Sequence, residues 1–190
     1  MRSMPLRAPR YTTTPFPPYR FVPGRAPHPH APTGHSYRPP DQPPPTVLYY
    51  PSAEWHRSHE YLFGCDLYNH GYWWEAHEEW EGLWQLTDKS GVQGRFLQGL
   101  IQVSATHLKV EVGHLRGVTD LLAKSATHLG FALDALGSQT YMGLAVAAWY
   151  DRVRAYYDDR LRDPLRPRHR EDTYPYICLV TKITDSGELA

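Results

Sequence analysis

Fifteen of this chain's eighteen prolines fall within its first 51 residues. Proline fixes φ near −65° and removes the backbone donor, so this stretch can be neither helix nor inner strand. An extended, polyproline-like arm is expected over residues 1–51. Its composition argues against a disordered tail, because it also carries Tyr11, Phe16, Tyr19, Phe21, Tyr37, Tyr49 and Tyr50. Disordered segments are poor in such side chains, whose surface is worth burying. The arm is therefore expected to lie ordered over a body.

After Pro51 the pattern becomes helical. Ser52 suits an N-cap, with Glu54 in the first turn. A first helix is predicted from Ser52 to about Asn69, a second from Tyr72 to about Leu86, and a third from Val92 to Val112. A fourth follows from His114 to Leu136, and a fifth from near Ser138, fading before Pro164. Leu115, Val118, Leu122, Leu129, Leu133 and Leu136 recur at three- and four-residue steps and mark one buried stripe. Phe96, Leu97, Leu100, Ile101, Val103, Leu108 and Val110 cover a broader face, which suits a central helix. The fold class is all-α: a bundle or hairpin array of about five helices over residues 52–162, with the Pro-rich arm before it. A tail, 163–190, follows. In it Tyr174–Thr181 is short, apolar and rich in β-formers, preceded by charged Arg168–Asp172; it is expected to pair with Thr46–Tyr50 as a small ribbon.

Charge is unevenly placed. The net charge of the chain is zero. Residues 1–51 hold six Arg against one Asp, a net of +5, and residues 52–162 hold ten basic and fourteen acidic side chains, a net of −4. A basic arm on an acidic body can lie along its own body or a neighbour's, so homo-oligomerisation through the arm is an expected mode of partnership. Six scattered Arg among prolines make a poor surface for tracking phosphates, which counts against nucleic acid. No stretch approaches the roughly 18 apolar residues that span a bilayer, and the N-terminus lacks the apolar core of a secretory signal. Cys65 and Cys178 form neither a disulfide framework nor a CxxC knuckle. Two free thiols suit a reducing cytoplasm, the expected location. Phosphate-cradling and nucleophile-elbow motifs are missing.

The segment with chemical potential is Trp73-Trp74-Glu75-Ala76-His77-Glu78-Glu79-Trp80-Glu81. On a helical wheel Trp73, Trp80 and Trp84 form the inward stripe, His77 lies inside it and Glu81 about 40° beyond. Glu75 and Glu79 are expected to face water, with Glu78 at the boundary. His77 and Glu81, spaced i and i+4, are thus adjacent and partly enclosed by indoles. A buried carboxylate must be paired, protonated or ligated. On the third helix His107 falls between Phe96 and Leu100, on the apolar face. His77, Glu81 and His107 are therefore the candidate ligands of a divalent transition metal, and His77, Glu78 and Glu81 the candidate catalytic groups. Trp73, Trp80, Trp84, Gln98 and Gln102 are the candidate pocket lining. His28, His30 and His35 of the arm complete or cover such a site if the arm crosses the second helix. Otherwise they are exposed histidines. The pattern is neither HExxH nor the paired Glu-x-x-His of di-iron bundles.

The run Phe63, Leu67-Tyr68-Asn69, Gly71, Trp73, Glu75-Ala76-His77-Glu78, Trp80-Glu81 and Trp84 continues into Phe96-Leu97-Gln98-Gly99-Leu100-Ile101-Gln102 and Gly113-His114-x-x-Gly117. Over about Tyr61 to Leu136 it resembles the helical family catalogued as domain of unknown function 309, which commonly has Asn at the position of His114. The resemblance implies an all-α fold and no particular activity; arm and tail lie outside it. Two functional readings follow. In the first, a cytosolic helical protein uses its buried His/Glu/Trp cluster as a structural or ligand-binding network, open to a small polar ligand. In the second, a metal-dependent or acid/base enzyme, hydrolase-like, acts on a small polar substrate through His77, Glu81 and His107.

Overall fold

A computed structural model describes residues 8–137, 140–162 and 174–180. The expected helix start near Ser138, the charged Arg168–Asp172 run and most of the tail lie outside them. Helix α1 is His59–Asn69, α2 Trp73–Gln85, α3 Val92–Glu111, α4 Leu115–Leu136 and α5 Val146–Arg162, and a 3-10 helix spans Ser52–Arg57. A small antiparallel hairpin, β1 (Thr140–Tyr141) and β2 (Leu144–Ala145), precedes α5. Among the described residues the fold is all-α apart from that hairpin. No helix among the described residues is long and apolar enough to cross a membrane.

Three local differences from the sequence expectation have physical causes. The first predicted helix is two, because Ser58 turns to ψ 105° and caps α1 by accepting from the Tyr61 amide. A serine at that position competes with helix continuation and starts a new one. The last helix begins at Val146, since positive φ at Met142 and Gly143 turns the β1–β2 hairpin in front of it. The expected ribbon does not form: residues 46–50 carry no strand, and Leu179 bridges Leu144 of β2 instead.

Helix α3 packs between α2 and α4, with Phe96, Leu97, Leu100 and Val103 fully buried, as its broad apolar face requires. The α1–α2 corner turns at Gly71, whose φ of +82° lets the Tyr72 amide reach the Leu67 carbonyl at 2.9 Å. It is held tight by Gly64, where any Cβ would sit 2.2 Å from Trp80 Nε1. At α4, His114 caps the helix by accepting from Gly117 N at 3.0 Å. A side-chain acceptor is what an N-cap needs, and histidine Nδ1 supplies it where asparagine would.

Residues 8–51 hold neither helix nor strand and run across the body. Buried carboxylates fasten them. Asp66 of α1 accepts from the Tyr11 and Thr12 amides and from Thr12 Oγ1. Glu75 of α2 accepts from the Phe21 amide at 2.7 Å, and Glu111 at the end of α3 takes Arg25 on both its side chain and its carbonyl. Between these clips Phe16 stacks on Tyr72, while Phe21 and Val22 are buried. Burying two such side chains contributes about 3–5 kcal/mol towards ordering a segment that proline already stiffens. The 174–180 strip joins the arm on α1: Asn69 pairs with both backbone groups of Ile177, and the Leu179 amide donates to Tyr11 Oη.

Candidate functional site

Helix α2 places its side chains on two very different surroundings. Its inward stripe is Trp73, Ala76, Trp80 and Leu83, all buried. Trp80 donates from Nε1 to the Tyr61 carbonyl at 3.3 Å. Trp73 lies flat on His107, ring centres 4.7 Å apart. His107 is almost wholly buried, and Tyr68, Tyr157 and Tyr174 surround it within 5.3 Å. The Tyr68 hydroxyl donates to the Pro175 carbonyl and lies 3.0 Å from His107 Nε2, so the imidazole N–H is the donor between them. Burial pushes the Tyr68 phenol well above its ordinary pKa. This is a closed aromatic box.

His77 stands apart from that box. Its Nδ1 is 3.2 Å from Glu78 Oε1 and its Nε2 is 3.9 Å from Glu81 Oε2. These three residues bring donor atoms mutually within 4.8 Å, and His107 is not among them. The three-residue set His77, Glu81 and His107 is thereby corrected: Glu78 takes the place of His107. A helical wheel gives direction around an axis but not the partner that direction meets. His107 meets Tyr68, Trp73 and α5, whereas His77 sits at the half-buried edge of α2. Glu81 is also more open than an indole-walled carboxylate, with 43% of its side chain exposed.

The opposite face of α2 is the larger correction. Glu75, expected in water, is 5% exposed because the arm covers it. Its Oε1 accepts from the Phe21 amide and lies 3.1 Å from His35 Nε2, while its Oε2 is buried with no hydrogen-bond partner. Burial raises the Glu75 carboxyl above its usual pKa, against the lowering from its own backbone amide, from the Phe21 amide and from His35. Glu79, also expected in water, is half-buried; burial first, then the charges of Glu60 and Glu78, push it up to about 7. Turns at His28–Ala31, Ala31–Gly34 and Pro29–Ser36 fold the arm back on itself and set His30 Nε2 3.6 Å from Glu78 Oε2. Phe21, His28 and His30 stand edge-on around Trp74.

Together these groups enclose a cavity of about 310 Å³ between the arm, α1 and α2. Glu60, Glu75, Glu78 and Glu79 line it, with His30, His35 and Arg38 from the arm and Phe63, Leu67 and Trp74 as apolar wall. Of the five residues expected to line a pocket, none borders this cavity. Trp73 and Trp80 are in the core and Trp84 lies under Lys89 Nζ at 4.3 Å; Gln98 is half-buried, and Gln102 Oε1 is buried without a partner. Sequence reasoning missed Glu75, Glu79, Glu60 and Trp74, although the arm's aromatics and histidines were the available signal.

Residues 61–121 match a family described as a domain of unknown function (DUF309). The match runs from the first turn of α1 into α4 and ends short of the Leu136 limit expected from the motifs. It holds α2 and α3 whole, and leaves out the arm. No curated protein and no solved structure gives a significant match.

Proposed function

We propose, from the premise that residues 61–121 belong to the DUF309 family and that its description assigns no activity, that this protein binds a small polar ligand in the cavity beneath its arm. One observation carries the reading. Glu75 is a buried carboxyl that borders the cavity with one oxygen satisfied and the other without a partner. Leaving such an oxygen dry costs about 1–3 kcal/mol or more, a cost that a bound donor would offset. The cavity's size is at the lower end for small-molecule sites, and its polar groups converge on an apolar wall as such sites do. In this reading the His107 box supports the fold and the α2–arm face does the binding.

Gly82 offers the test. It borders the cavity, and a Cβ there would only just touch Val47, at 3.5 Å, so a larger side chain projects into the space without breaking the helix. Thermal-shift screening of small amines, amino acids, carboxylates and sugars should give ligands that raise the Tm of the native protein and not that of Gly82→Leu. A screen in which no class raises the native Tm, or in which Gly82→Leu responds equally, contradicts the reading.

The alternative is a metal-dependent or acid/base enzyme, hydrolase-like, acting on a small polar substrate. Its support is the His77–Glu78–Glu81 trio, whose imidazole and carboxylate donors suit a divalent transition metal. Stoichiometric metal in untagged protein, lost in His77→Ala while the fold persists, would favour it.

A further inference from the structure

Four carboxyls and one guanidinium border the cavity beneath the arm, and this imbalance selects a ligand class. His35 already faces Glu75 and His30 already faces Glu78, so the arm's imidazoles serve carboxyl oxygens that are partly occupied. Glu75 Oε2, buried and without a partner, is the acceptor left over. An anion placed here would meet Glu60, Glu75, Glu78 and Glu79 at close range in a half-closed space, where repulsion is poorly screened.

A metal ion fits less well than an organic cation. Among the described residues, the His77–Glu78–Glu81 trio converges within 4.8 Å, and of these only Glu78 borders the cavity. Glu60, Glu75 and Glu79 form no such trio, so they lack the three-fold convergence of ligand atoms that a metal ion needs. Spread carboxyls opposite Phe63, Leu67 and Trp74 match a molecule with a charged end and an alkyl body.

Resting on the binding site proposed above, we infer that the cavity takes a small alkylammonium ion, a primary amine or short diamine, with its charged nitrogen at Glu75 and Glu79 and its carbon chain along Trp74.

Calorimetric titration of the full chain with 1,4-diaminobutane, n-butanol and butyrate tests this. Diaminobutane should bind one to one and at least tenfold more tightly than the neutral or anionic probe. Glu79→Gln should reduce its affinity at pH 8 at least fivefold. Glu78→Gln should weaken it as well, which keeps the test independent of one variant. Butyrate or butanol binding as tightly as diaminobutane, and lost in Gly82→Leu, would overturn the cation while leaving the cavity as a ligand site. If none of the three binds, the alkylammonium assignment falls, and the thermal-shift screen alone decides whether the cavity is a ligand site.

Discussion

Two polar clusters share helix α2, and they are built in opposite ways. Around His107 stand the rings of Tyr68, Trp73, Tyr157 and Tyr174, the Tyr68 hydroxyl lies 3.0 Å from its Nε2, and the imidazole is 2% exposed, although Trp73 Nε1 is itself buried without a partner. Around Glu75 and Glu79 the carboxyls outnumber the partners, one oxygen is left over, and a cavity remains. Helices α1, α2 and α5 and the 174–180 strip close the first cluster with bulk; α1 and the arm border the second. The contrast teaches that burial of an ionisable group does not by itself point to function. What matters is whether its surroundings are complete. A satisfied imidazole is a structural member, whereas an unsatisfied carboxyl beside a cavity is a place for something else.

The largest effect should come from opening the closed cluster. His107→Ala removes a ring that Trp73 stacks on and leaves the Tyr68 hydroxyl short of a partner. Urea unfolding should show a loss of about 3 kcal/mol. A loss below about 1 kcal/mol would mean that the box is not the packed network described. Next is Asp66→Ala, which deprives two arm amides and one hydroxyl of their acceptor. It should cost about 2–3 kcal/mol and make limited proteolysis of the Tyr11–Phe21 stretch faster than in the native chain. An arm equally resistant in both proteins would show that the carboxylate clips do not hold it.

Glu79→Gln should act in the other direction. The folded state raises the Glu79 pKa from its ordinary 4.5 to about 7, so folding favours the protonated form. That preference is fully felt below pH 4.5 and is lost as pH rises through 7, where burying the ion destabilises the fold. The neutral amide avoids this loss: Glu79→Gln should be about 1–2 kcal/mol more stable than the native chain at pH 8, and no more stable at pH 4. Equal gains at both pH values would contradict the cause assigned. The smallest effect is expected from His77→Ala, within about 0.5–1 kcal/mol, because a half-exposed imidazole near exposed carboxylates contributes little.

The helices were legible because burial of a helix face leaves a period in the sequence. The α3 residues Phe96, Leu97 and Leu100 are in the core where that period puts them, and His107 turns inward as its place between Phe96 and Leu100 requires. Its partners were not legible, since a wheel is silent on height along the axis and on what lies opposite. Glu75 and Glu79 went wrong for a related reason. A wheel divides a helix into core and water, and the proline-rich arm is a third environment that follows no helical period. Trp74 was the overlooked residue: an indole between Glu81 and the boundary residue Glu78 on the wheel, given no surroundings by the sequence, which Phe21, His28 and His30 in fact cover. The break at Ser58 was hidden because Ser52 also suits a cap.

Carboxyl titration by NMR, with ¹³C-labelled glutamate and Glu79→Gln for assignment, reaches the enclosed acidic space beneath the arm most directly. Glu79 should titrate near pH 7 in the full chain, and lower once Asp66→Ala loosens the arm. A midpoint near the ordinary 4.5 in the native protein would mean that this face of α2 is open to water and that there is no such enclosure to bind a ligand.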